Sequence, residues 1–215
     1  MFDRWVNDLF NWLIRWNTAN TLEGYQAYPA SNTAVLLVDT QTALLQEDPP
    51  FAERLKVLVE FARSKNFGLI YSPYDPGANH AFPTAGHQML KSRLSSPVGA
   101  RFPSAISPVA GDVVLPPRAL FSAFSQTNLR KVLEDNGWQR LVVVGPLTLV
   151  SLDSTVRDAV QYDFHVTVLE DVTGLADSDT TKKHLKHTFS RTAHSILDFE
   201  SFRSAVEDTQ TNQVS

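Results

Sequence analysis

A chain of 215 residues, 43% hydrophobic and 20% charged, can bury one sizeable core, and no linker divides it. A net charge of -4 without any Lys or Arg run excludes the electrostatic footprint of a nucleic-acid binder. The absence of cysteine removes disulfides, thiolate nucleophiles and Cys-based zinc sites, and leaves a cytoplasmic location as the default expectation.

Residues 2–16 set Asp3, Arg4, Asn7, Asp8, Asn11 and Arg15 on one helical face and surround it with a wide apolar arc that includes Trp5, Trp12 and Trp16. Charges recur too often for a membrane span or a signal-peptide core. The segment reads as a helix docked on its own domain or on a partner subunit, so a homo-oligomer is expected. An interfacial membrane helix and a disordered extension are the alternatives. Residues 1–32 thus form an amphipathic helix and a polar connector.

The first strand is Thr33 to Gln41, a run of five apolar residues that ends in Asp39. Aspartate is a poor strand former, and beyond the carboxyl end of a buried strand it faces a crevice; capping of the next turn is the bland alternative. Gln41, two residues on, falls on the same side as Asp39 if the chain stays extended. A helix over 51–65 (Phe51, Leu55, Leu58, Val59, Ala62) and a strand over 67–71 follow. Residues 72–111, rich in Pro and Gly, read as a long covering loop that offers Tyr74, His80 and Phe82 as pocket lining. Asp75, His80 and His87 invite a metal reading, but their spacing fits no common short ligand motif, and no metal is assigned. No cofactor is expected.

Asp112 to Leu115 is a short strand, and Pro116-Pro117 holds Arg118 stiffly at its end. On position alone, Arg118 is either a site residue or a surface group paired with a carboxylate. Thr127 caps a helix closed by Gly137. Leu141 to Val144 is a strand buried on both faces, stopped by Gly145-Pro146. A helix capped by Thr148 then carries Ser151 in its first turn, where backbone N–H groups and the helix dipole favour negative charge. Arg157 and Asp158 read as a buried ion pair or as ties to loops, and Thr155 as packing. Strand 164–169, a helix over 179–192, a strand over 194–197, a helix capped by Asp198 and a disordered tail from 208 complete the chain. Alternating strands and helices predict a three-layer α/β/α domain over 33–207 with a mostly parallel, Rossmann-like sheet of about six strands.

VLLVDTQ, PPRALFSAF and GPLTLVSLDSTVRDAV, in that order, resemble the isochorismatase-like, or cysteine hydrolase, superfamily over roughly Thr33 to Leu197. The resemblance implies a catalytic Asp, Lys and, in the amidase branches, a thioester-forming Cys. These fall on Asp39, Arg118 and Ser151, so two of the three residues depart from the pattern. It also implies a cis peptide at Pro146–Leu147; in the serine-hydrolase alternative, backbone N–H groups near Leu147 and Ser151 would form an oxyanion hole, and Phe121 and Leu147 are candidate substrate contacts. In the branch without cysteine, an aspartic acid protonates a vinyl ether and water completes hydrolysis. A hydroxyl is harder to ionise than a thiol, and the arginine fork suits two-point binding of a carboxylate. The expected function is therefore hydrolysis of a small, anionic molecule by Asp39, with Arg118 as anion anchor and Ser151 auxiliary. A serine-dependent amide or ester hydrolase using Ser151, and a binding or regulatory protein on a retired enzyme fold, are the alternatives.

Overall fold

The computed structural model describes residues 27–77, 79–146, 148–174 and 179–214. The amphipathic segment 2–16 and the Pro146–Leu147 bond lie outside them. Six parallel strands form one sheet in the order β3-β2-β1-β4-β5-β6: β1 Thr33–Val38, β2 Gly68–Ser72, β3 Val113–Val114, β4 Arg140–Gly145, β5 His165–Thr173 and β6 Ser195–Leu197. The central strands are unbroken apolar runs because helices cover both faces. Val35, Leu37, Tyr71, Val142 and Val144 pack with the helices Pro49–Ser64 and Phe199–Val214, while Leu36, Ile70, Leu141 and Val143 pack on the other side with Leu129, Leu133, Val156 and Phe189.

The chain leaves β1 toward β2 and β3, then returns to lay β4 on the other side of β1. Strand order therefore reverses between β1 and β4, and their carboxyl ends open the crevice in which ligands of such sheets bind. Gly145 makes the close approach possible: a Cβ there would run into the carbonyl oxygen of Val38.

Several elements differ from the sequence reading. The stretch 72–111 contains a nine-residue helix, Ala85–Arg93. Thr84 and His87 form a reciprocal capping box at its start, and Leu90 and Leu94 are buried against Leu44 and Tyr74. The strand expected over 164–169 runs on to Thr173, and a short helix, Thr42–Leu45, follows β1. The tail expected to be disordered from 208 instead continues the last helix to Val214. Phe202 and Val206 are in the core, and Thr209 accepts a hydrogen bond from the Tyr28 backbone N–H at 3.0 Å, which ties this helix to the entry of the domain.

Candidate active site

Asp39 follows β1 directly and lies in the left-handed region, with φ of +55°. Aspartate tolerates that region better than most residues, yet the conformation is held only where its surroundings enforce it. The Asp39 N–H donates to Ser72 O at 3.1 Å, tying the turn to the end of β2. Its side chain does not cap the next turn. Oδ1 accepts from Arg118 Nη2 at 2.8 Å, and Oδ2 is buried without a hydrogen-bond partner among the described residues.

Arg118 is reached from β3 through the two prolines, and its backbone extends the sheet. Its N–H donates to Pro73 O, its carbonyl accepts from Asp75 N at 2.8 Å, and it bridges Tyr74 in parallel. The surface reading fails, because both Arg118 and Asp39 side chains have 0% exposure. Besides Asp39, the guanidinium donates to Ser72 O from Nη1 at 3.0 Å and to Phe121 O from Nη2 and Nε at 3.0 and 3.2 Å. Four of its five N–H donors are thus committed within the protein.

Ser151 lies in a π-helical turn, Thr148–Leu152, that leads into the helix Asp153–Gln161. Such turns widen the backbone and recur at functional positions. Thr155 donates to Ser151 O at 2.7 Å and accepts from Ala123 N at 2.9 Å, so it fastens the turn to the Ser122–Ala123 segment. Ser151 Oγ is buried and, among the described residues, has no partner. Ser72 Oγ, Thr40 Oγ1 and Thr173 Oγ1 share that condition, so buried polar atoms at the carboxyl ends of β1, β2, β4 and β5 are left for a ligand or water to satisfy. Arg157 pairs with Asp153 on the helix surface at 3.0 Å, not with Asp158 in the interior.

The expected substrate-contacting residues divide. Gln41 is a strut: Nε2 donates to Tyr74 O at 3.0 Å and Ala100 O at 3.1 Å, and Oε1 accepts from Tyr74 N at 3.0 Å. Phe82 is 92% exposed and takes no part in the pocket wall. Leu147 lies outside the described residues. Tyr74 and His80 line a cavity of about 270 Å³ together with Asp75, Pro83, His87 and Lys91. Burial pushes the Tyr74 hydroxyl up from its ordinary pKa, and the nearby Asp39 carboxylate adds to the effect. Phe121 connects cavity and ion pair: its carbonyl holds Arg118, and its ring stacks on His87 at 4.2 Å, which stacks on His80 at 3.9 Å. Gly86 brings the Ala85–Arg93 helix onto Phe121 and Val150, beside Ser151. His87 was missed as a pocket residue. Its signal was the Thr84-x-x-His87 cap, hidden in a stretch full of helix breakers.

A larger hollow, about 600 Å³, is lined by Trp138, Arg140, Phe164 and His165 at the amino ends of β4 and β5, the end of the sheet opposite Asp39. At the carboxyl end of the sheet lie the Asp39–Arg118 pair and the turn that carries Ser151.

This fold, with an acidic residue after β1, a cation after β3 and a hydroxyl in the turn after β4, defines the chain's class. The isochorismatase domain family matches residues 33–197, and the chain belongs to that family. It is 25% identical over 209 residues to the ureidoacrylate amidohydrolase RutB of Yersinia enterocolitica, covering 82% of this chain and 90% of that protein. A cysteine hydrolase from Pseudomonas syringae superimposes with a TM-score of 0.71 at 20% identity, covering 85% of this chain and 96% of that one. N-carbamoylsarcosine amidase from Thermoplasma acidophilum gives 0.62 at 20% identity, covering 78% and 95%.

Proposed function

We propose that this chain is an isochorismatase-like hydrolase of a small molecule, using Asp39 for proton transfer and no cysteine nucleophile. The observation that carries the reading is the division of labour on one buried carboxylate. Oδ1 is held by Arg118, while Oδ2 has no partner among the described residues at the topological switch of the sheet. Leaving a buried acceptor unsatisfied costs about 1 to 3 kcal/mol, a cost that a bound ligand offsets.

Charge balance favours a base over an acid. Among the described residues, Arg118 has Asp39 as its one carboxylate partner and carbonyls as its other acceptors, so a resting neutral Asp39 would leave a buried, uncompensated cation. Asp39 takes a proton at low cost only when negative charge develops beside Arg118 in the same step. Attack of water on a carbonyl does this: the water proton moves to Oδ2, the oxygen bonds to carbon, and the carbonyl oxygen becomes an oxyanion. Collapse then breaks the bond to the leaving group, which takes the proton from Asp39. The amidohydrolase relative makes an amide-type carbonyl the first substrate class to test. Ser151 orients the water. With four of its five donors committed, Arg118 is a poor anchor for a substrate anion, and Lys91 at the cavity is the better candidate for that role.

A second reading, a retired enzyme that binds without turnover, is favoured by the 0% exposure of Asp39, Arg118 and Ser151. Small amides, ureido acids and esters, followed by NMR for product, separate the two. Turnover that disappears in Asp39→Asn supports the hydrolase, whereas saturable binding without product, equal in parent and variant, supports the retired site.

A further inference from the structure

His87 is buried, 9% exposed, and its ring is held in one orientation by groups that the proposed reaction does not use. At one end of the ring, the backbone N–H of Thr84 donates to Nδ1 at 3.1 Å. The Thr84 hydroxyl lies 3.0 Å from the same nitrogen and could either donate to it or accept from it, but a backbone N–H aimed at Nδ1 requires a lone pair there, so the hydroxyl donates as well and the ring proton is assigned to Nε2. The ring faces are also occupied, by Phe121 at 4.2 Å with 12° between planes and by His80 at 3.9 Å with 27°. His80 in turn is fixed by Nε2 to the Tyr74 hydroxyl at 3.2 Å. What remains is Nε2, a buried donor with no partner among the described residues, on a residue that walls the 270 Å³ cavity. Burial, with the neighbouring His80 second, lowers the His87 pKa from its ordinary value and so acts in the same direction as the hydrogen-bond geometry.

We infer that His87 is a specificity residue, whose Nε2–H donates to a carbonyl oxygen of a small molecule bound in the Tyr74–His80–His87–Lys91 cavity. This rests on the hydrolase reading only for the idea that the cavity serves the reaction. The donor, its tautomer and its ligand class follow from the geometry alone. A neutral Nε2–H accepts nothing, so the pocket selects a ligand with an acceptor at that point and disfavours an isosteric hydrocarbon.

The test uses the full chain, ¹⁵N-labelled at histidine, with His87→Phe to identify the resonances; phenylalanine preserves the stack on Phe121 and deletes the donor. At pH 7 the two-bond ¹H–¹⁵N spectrum should show His87 as the neutral Nε2–H tautomer. Titration with benzamide should shift Nε2, whereas toluene, a ring without an acceptor, should leave it in place. His87→Phe should weaken benzamide binding about fivefold to tenfold, the worth of one neutral hydrogen bond, while its melting transition stays cooperative. A Nδ1–H tautomer, an imidazolium at pH 7, or equal responses to benzamide and toluene would overturn the inference. The readout is binding, so a protein that binds benzamide through His87 and hydrolyses nothing contradicts the hydrolase reading and leaves this one standing.

Discussion

Replacing Arg118 by methionine tests how much of the domain rests on the buried ion pair. The side chain has 0% exposure and makes four hydrogen bonds, one to Asp39 and three to the carbonyls of Ser72 and Phe121. Methionine fills similar volume but leaves the Asp39 carboxylate buried without a counter-charge, and breaking such a pair costs about 3 to 5 kcal/mol. The orphaned carbonyls add to this, though relaxation prevents simple summation. Against a total stability of about 5 to 15 kcal/mol, the loss is large, and in a chain of this size it corresponds to a melting point lower by roughly 6 to 20 °C. Urea unfolding followed by tryptophan fluorescence measures it. Adding Asp39→Asn to Arg118→Met removes the stranded charge and should recover part of the loss. A single Arg118→Met variant within about 1 kcal/mol of the parent would refute the view that this pair is a desolvated keystone.

Gly145→Ala should separate the ends of β1 and β4, because its methyl meets the Val38 carbonyl; we expect activity on any substrate of the parent to fall more than stability does, and equal activity would show that the strand ends need not be so close. His165, whose pKa burial pushes down to about 4 with His194 and Arg140 adding to it, makes stability depend on pH. Between about pH 4 and 6.5 the unfolded chain holds a proton there that the folded one does not, so stability is lost as pH falls through this window. The loss is about 2 kcal/mol once solvent screening is allowed for, and it should flatten in His165→Phe, as melting points across the range would show. Truncation at about Thr21 should reduce oligomeric mass or thermal stability if residues 2–16 pack on protein, whereas unchanged mass and melting point with lost liposome binding would support the interfacial alternative.

The sheet was legible because its strands are buried on both faces: continuous runs such as Val35–Val38 and Leu141–Val144 have no competing helical period. The placement of Asp39 and Ser151 beyond the ends of β1 and β4 was legible for a related reason, each following an apolar run at a break in pattern. The pairing of Arg118 was not, since it depends on how the ends of β2 and β3 lie beside β1, a relation that no local window contains. The Ala85–Arg93 helix was obscured by Pro83 and Gly86, although Gly86 is the residue that lets the helix settle on Phe121 and Val150. Phe82 and Gln41 show the limit of assigning pocket roles from type and proximity: one is exposed, and the other spends its amide on backbone.

In the proposed reaction Asp39 performs the proton transfer and Ser151 only assists. Turnover by Asp39→Asn and Ser151→Ala, compared on one substrate with intact-protein mass spectrometry, tests it most directly. Asp39→Asn should remove essentially all activity, while Ser151→Ala loses one orienting hydrogen bond, about 1 to 2 kcal/mol or roughly fivefold to thirtyfold in rate. No acyl-enzyme should accumulate in the parent. A folded Ser151→Ala variant slower by several orders of magnitude, with an acyl adduct on the parent that the variant lacks, would contradict the account and make Ser151 the nucleophile.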